Sequence, residues 1–141
     1  MRNWLFSFCV LYFAFCVGCS IPSLETPSCA AARPAVREFY SFHFGNDMKF
    51  SAENLKVREK YLSEDLANRL VSQKEGVDPF TTGTEELPKA FRDGECTELS
   101  GDRAKFRVLL FWKDDTRTEQ RPIDVETVKI GDRWLIDKVT R

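Results

Sequence analysis

Ala104-Lys105-Phe106-Arg107-Val108-Leu109-Leu110-Phe111-Trp112-Lys113 is the segment from which the architecture can be worked out. Ala104, Phe106, Val108, Leu110 and Trp112 alternate with Lys105, Arg107, Leu109, Phe111 and Lys113, the period of two that belongs to a β-strand. The first part of this strand is one-sided, and its end is apolar on both faces. Downstream, Ile123, Val125 and Thr127 form the face of another strand, with Val128 and Ile130 slipping to the opposite side. Gly131-Asp132 then makes a tight turn into 133–139, a segment rich in Trp and Ile. Upstream, 91–99 reads as the first strand, joined to the next by Ser100-Gly101-Asp102. Lys113-Asp114-Asp115-Thr116-Arg117 is a hairpin connection, and its lone Asp pair falls short of the oxygen set calcium needs.

The period changes in the first half. Pro34 suits the first turn of a helix, and Val36, Phe39, Tyr40, His43 and Phe44 follow at helical spacing until Gly45-Asn46-Asp47 stops them. Ser51 caps a second helix with Leu55, Arg58 and Leu62 on one side. Ser63 caps a third, from 63 to about 74, whose Leu66, Ala67 and Leu70 give an apolar edge before Gly76 ends it. Asp78-Pro79-Phe80 opens a loop that runs to 88. The charges Arg37, Glu38, Arg58, Glu59 and Lys60 read as solvated helix faces. Helices followed by a meander predict an α+β fold, with N-terminal helices packed on a curved four-stranded antiparallel sheet.

The chain has 141 residues, and 21 Lys+Arg against 22 Asp+Glu leave no excess positive charge for a nucleic acid backbone. With 43% hydrophobic and 30% charged residues it is an ordinary globular chain of one folded domain. Its beginning is different: Arg2 precedes residues 4–17, of which 13 in 14 are apolar. That run is shorter than the roughly 20 residues a spanning helix needs and matches the core of a signal peptide.

Val17-Gly18-Cys19-Ser20 resembles the lipobox of bacterial lipoproteins, although Cys16 stands where Leu or another aliphatic is usual. The resemblance implies a signal peptide over residues 1–18 and a lipid on Cys19. Residues 20–34, with three prolines, several Ser/Thr and a small-residue run, read as a tether, so that 19–34 is a lipid-anchored linker to the domain. Since Ser20 is not Asp, it also implies an envelope position at the outer membrane, facing the periplasm. Of the other cysteines, Cys9 and Cys16 leave with the signal, so Cys29 and Cys96 remain as an even pair. Export permits a disulfide between them. A cysteine in a flexible tether and a small apolar residue near a strand start account for them equally well. Two cysteines and a single histidine make no closed zinc set.

Val36-Arg37-Glu38-Phe39-Tyr40, Tyr61-Leu62-Ser63-Glu64-Asp65-Leu66, Asp78-Pro79-Phe80 and Gly131-Asp132-Arg133-Trp134-Leu135-Ile136-Asp137-Lys138-Val139 together resemble the DUF3828 domain. That family comprises small bacterial envelope proteins, often lipoproteins, with a cystatin-like or NTF2-like fold. The resemblance covers residues 35–139 and implies a fold and a compartment, without a catalytic motif.

NTF2-like sheets curl into a cone, and some members place an acid, a histidine or a tyrosine inside it. The candidates here are Tyr40, His43, Trp112, Asp124, Trp134 and Asp137. His43, the only histidine, is in phase with the apolar helix face, so burial explains it as well as chemistry does. Asp137 alternates with Leu135 and Val139, which could point it inward; a structural pairing with a neighbouring Lys or Arg is the competing account. Trp112 and Trp134 read as core. There is no G-x-S-x-G elbow, no P-loop and no H-E-x-x-H, and no cofactor is expected. The expected function is therefore a non-enzymatic envelope lipoprotein that binds an envelope protein partner or a small ligand. The alternatives are a SnoaL-like or isomerase-like enzyme using the cone pocket, and a periplasmic immunity or inhibitor protein.

Overall fold

A computed structural model describes residues 25–73 and 75–141. Cys19 and the apolar segment before it lie outside the described residues. Helix α1 spans Pro27–Phe44, α2 Ala52–Lys56 and α3 Glu64–Val71, with a 3-10 turn at Glu59–Tyr61 between the last two. Four strands follow: β1 Ala90–Ser100, β2 Arg103–Lys113, β3 Thr118–Ile130 and β4 Arg133–Thr140. They form one antiparallel sheet in chain order, β1-β2-β3-β4. The expected α+β class is thus observed, helices first and meander second. Among the described residues no helix is long and apolar enough to cross a membrane.

The helices cover one sheet face. Ala104, Phe106, Val108, Leu110 and Trp112 of β2, with Ile123 and Val125 of β3 and Ile136 of β4, are buried against Val36, Phe39 and Tyr40 of α1. Burying the Val, Leu, Ile and Phe side chains among them contributes about 1.5–3 kcal/mol each relative to leaving them exposed. The alternation therefore fixes which side of the sheet carries the core.

Helix α1 begins eight residues earlier than the expected boundary at 35. Thr26 is its N-cap, accepting from the backbone N–H of Cys29, and Pro27 occupies the first turn, where its missing N–H costs nothing. Residues 27–34 are therefore helix and not tether, and Ser28, Cys29 and Ala32 are buried. Pro34 lies inside the helix and not at its start. The early start lines up Cys29, Arg33 and Arg37 at intervals of four, one stripe facing β1. Cys29 forms a disulfide with Cys96, Cα atoms 5.9 Å apart, so the open alternative closes in favour of the bond. Arg33 donates to Asp93 Oδ2 at 2.7 Å and to the Gly94 carbonyl at 3.0 Å, and Arg37 donates to Asp93 at 2.9 Å.

Gly94 belongs to a bulge in which Asp93 pairs with Val108 while Cys96 pairs with Phe106, leaving two residues opposite Arg107. A Cβ at Gly94 would lie 2.5 Å from the Arg107 carbonyl oxygen, so only glycine fits. The third helix is shorter than expected: it ends at Val71 with Ser72 as C-cap, and the positive-φ Gly76 lies beyond it.

Candidate functional site

A buried polar cluster joins three segments far apart in sequence. His43, near the end of α1, is 1% exposed, Arg58 is 2% and Asp78 is 0%. Arg58 Nε donates to His43 Nδ1 at 2.8 Å, and His43 Nε2 lies 2.9 Å from Asp78 Oδ2. Guanidinium nitrogen can only donate, so Nδ1 is the acceptor and the hydrogen sits on Nε2, directed at the carboxylate. Phe39 stacks on the imidazole, ring centroids 5.6 Å apart.

Every other member is also occupied. Arg58 donates to the carbonyls of Asn54 and Asp47, both at 2.8 Å. Asp78 accepts from the Phe80 backbone N–H and the Thr81 hydroxyl, both at 2.9 Å, which folds the Asp-Pro-Phe turn around its own carboxylate. Tyr40 donates its hydroxyl to the Phe80 carbonyl at 2.9 Å. Burial, with the nearby Asp78 charge adding to it, pushes the Tyr40 phenol well above its ordinary value. Burial holds the Arg58 guanidinium below its own ordinary value, against the opposing pull of Asp78 and Asp47. The crevice beside His43, Asp78 and Arg58 has no room for a water molecule. A general acid or base must reach a substrate proton. His43 has both nitrogens bound and no open approach, and the cluster ties α1 to the 78–81 turn.

Asp137 is held elsewhere. In β4 the pairing slips between Glu126–Lys138 and Thr127–Ile136, which makes Asp137 the additional residue of a bulge. Strict alternation with Leu135 and Val139 fails there, and the neighbours Ile136 and Asp137 are both buried. Asp137 accepts from Ser63 Oγ at 2.6 Å and from Arg103 Nη2 at 3.0 Å. The same Ser63 oxygen caps α3 by accepting from Leu66 N, and the Ser63 N–H donates to the Ile136 carbonyl. Arg69 of α3 completes the seam by donating to the Asp137 carbonyl at 2.6 Å. The carboxylate is a clamp between α3 and β4.

The remaining candidates are dispersed. Trp112 is 2% exposed, with its indole N–H on the Glu86 carbonyl at 3.2 Å, so it is core. Trp134 is half-buried in a groove beside Pro34, Ala35 and Tyr61. Asp124 is on the uncovered sheet face, 3.7 Å from both Lys105 and Arg107. The six side chains do not converge on one cavity, and the space between helices and sheet is filled by Phe39, Phe80, Phe106 and Leu110. Glu25, Cys29 and Cys96 lie together, but both sulfurs are in the disulfide and are no thiolate ligands.

Two members of the His43 cluster were not among the candidates. Arg58 is buried and not solvated, and its spacing with Leu55 and Leu62 was the available signal. Asp78 had no local signal for a partner 35 residues away.

No family model matches the chain, and no curated protein matches it. Among solved structures, a protein of unknown function from Bacteroides thetaiotaomicron is similar, at 18% identity and a TM-score of 0.52. The match covers 81% of this chain and 91% of that one. At that identity the likeness is one of fold.

Proposed function

We propose that this chain is a non-enzymatic binding module of the cell envelope, with NTF2-like architecture and a lipid on Cys19, whose interaction surface is the sheet face the helices leave uncovered. One observation carries the reading. The interior polar side chains suited to chemistry, His43, Asp78 and Asp137, already have internal partners, whereas Leu109, Phe111 and Val128 are only partly covered on the other face. The resemblance to the DUF3828 domain supports the architecture, and the Cys29–Cys96 bond supports an oxidising compartment.

A photo-activated cross-linking side chain at Leu109, in cells, tests the surface. A discrete adduct is expected, lost on Phe111→Asp while the unfolding midpoint holds, and absent when the cross-linker is moved to Glu38 on α1. No discrete adduct at Leu109, or one equally strong at Glu38, overturns the reading. Intact mass tests the anchor: a chain beginning at Cys19 with acyl groups is expected, and a bare chain overturns it.

A further inference from the structure

The register of β2 and β3 arranges the uncovered face in two columns. Arg107 pairs across the strands with Asp124, Lys105 with Glu126, and Leu109 with Pro122. Cations thus run down β2 beside anions on β3, with an apolar step at one end. The central pair is loosely matched within the chain, since Asp124 stands 3.7 Å from both Lys105 and Arg107, beyond hydrogen-bond length, whereas Glu126 also accepts from Lys138 of β4 at 3.5 Å. The Arg107 side chain is 57% exposed and that of Asp124 34%.

We propose that this face binds a second copy of the chain, through a two-fold axis lying between β2 and β3 and parallel to them. The inference rests on the reading of the uncovered face as the interaction surface. Rotation about such an axis exchanges left and right but keeps height along the strands. Each β2 residue then meets its register partner on the other copy: Arg107 faces Asp124, Lys105 faces Glu126, and Leu109 faces Pro122, each twice over. An isologous interface needs self-complementarity of this kind. A two-fold across the strands would instead lay β2 on β2 and set the cationic column against itself. Twist does not oppose the arrangement, because a saddle-shaped sheet is carried onto the same saddle by rotation about a line along its strands.

The area is sufficient. Four strands about 4.8 Å apart, with about ten residues each at about 3.3 Å, offer roughly 600 Å² per copy, or about 1,200 Å² in total, the lower bound of a specific interface.

Charge reversal with mixing tests the proposal on the full chain purified from membranes, read by native mass spectrometry. The unaltered chain is expected as a dimer. Arg107→Glu places two Glu–Asp contacts at its own interface and Asp124→Arg places two Arg–Arg contacts, so each alone weakens association by at least about tenfold. Mixing the two variants gives a heterodimer in which the introduced glutamate of one copy faces the introduced arginine of the other, while the native Asp124 faces the native Arg107. Association is expected to return only in that mixed species, recognised by its intermediate mass. The like-charge neighbours within each chain persist in the mixture, so recovery reports contacts between chains. A monomeric unaltered chain overturns the proposal, as does a dimer indifferent to both reversals or not restored by mixing. If the chain is monomeric while Leu109 still cross-links a different protein, this inference fails and the surface reading stands. If Leu109 gives no adduct at all, both fail.

Discussion

Arg58 Nε approaches His43 Nδ1 to 2.8 Å, and this contact makes the imidazole a bridge from a buried cation to the buried carboxylate of Asp78. An arrangement of this kind is intolerant of losing one end. Removing one partner of a buried ionic network leaves the other charge uncompensated, at about 3–5 kcal/mol. Asp78→Ala and Arg58→Ala are each expected to destabilise by that amount in urea titrations. Nitrogen chemical shifts of His43 at neutral pH should report the Nε2–H tautomer; an Nδ1–H signature would contradict the geometry.

The Cys29–Cys96 bond spans 67 residues and pins the first turns of α1 to β1. In the chain-entropy account a closure of that length stabilises by about 4 kcal/mol. Cys96→Ser, or reduction, is expected to lower the unfolding free energy by about that much. A change below about 1 kcal/mol in denaturant titration would show that the Arg33 and Arg37 contacts with Asp93 hold the seam unaided.

Ser63 and Asp137 share one hydrogen bond, and Ser63 also caps α3. Ser63→Ala is expected to cost about 1–2 kcal/mol, the ordinary loss for a cap together with a donor taken from Asp137. Since the two side chains serve the same seam, Ser63→Ala combined with Asp137→Ala should cost less than the sum of the single changes. A double-mutant cycle measures this, and strict additivity would mean the two act independently.

Tyr40 gives the fold an alkaline limit. Its folded value lies above the unfolded one, mainly through burial, so the folded state holds its proton longer. The associated stability is complete below about pH 10 and is lost as pH rises through the folded value. Tyr40→Phe should lower stability at neutral pH, where the bond to the Phe80 carbonyl is lost, yet lessen the decline above about pH 10. Parallel pH series of unfolding midpoints would show the two curves converging.

The strands were legible because their cue is local. Alternation from Ala104 to Lys113 needs no knowledge of distant partners, and the turn at Gly131-Asp132 fixes where the last hairpin closes. The start of α1 was obscured by composition: Pro27, Ser28 and the alanines at 30–32 look like a linker, although Thr26-Pro27 is itself a cap followed by a first-turn proline. Asp137 illustrates the limit of periodicity, because a bulge inserts a residue without changing the apolar pattern around it. Arg58 was half legible: its spacing put it with Leu55 and Leu62, while its charge suggested solvent. The join of His43 to Asp78 belongs to tertiary structure alone, and nothing near either residue announces the other.

The meander places each strand beside its sequence neighbour, so the sheet can assemble by hairpins as the chain becomes available. The helix stripe of Cys29, Arg33 and Arg37 follows another timetable. Its partners Asp93, Gly94 and Cys96 are synthesised some sixty residues later, and a ribosome adds only about 5–20 residues per second. Cys29 therefore waits several seconds as a free thiol before its partner exists. Any oxidase that meets the chain early finds a cysteine able to take the wrong bond, and the first helix is fastened only after most of the protein has been made.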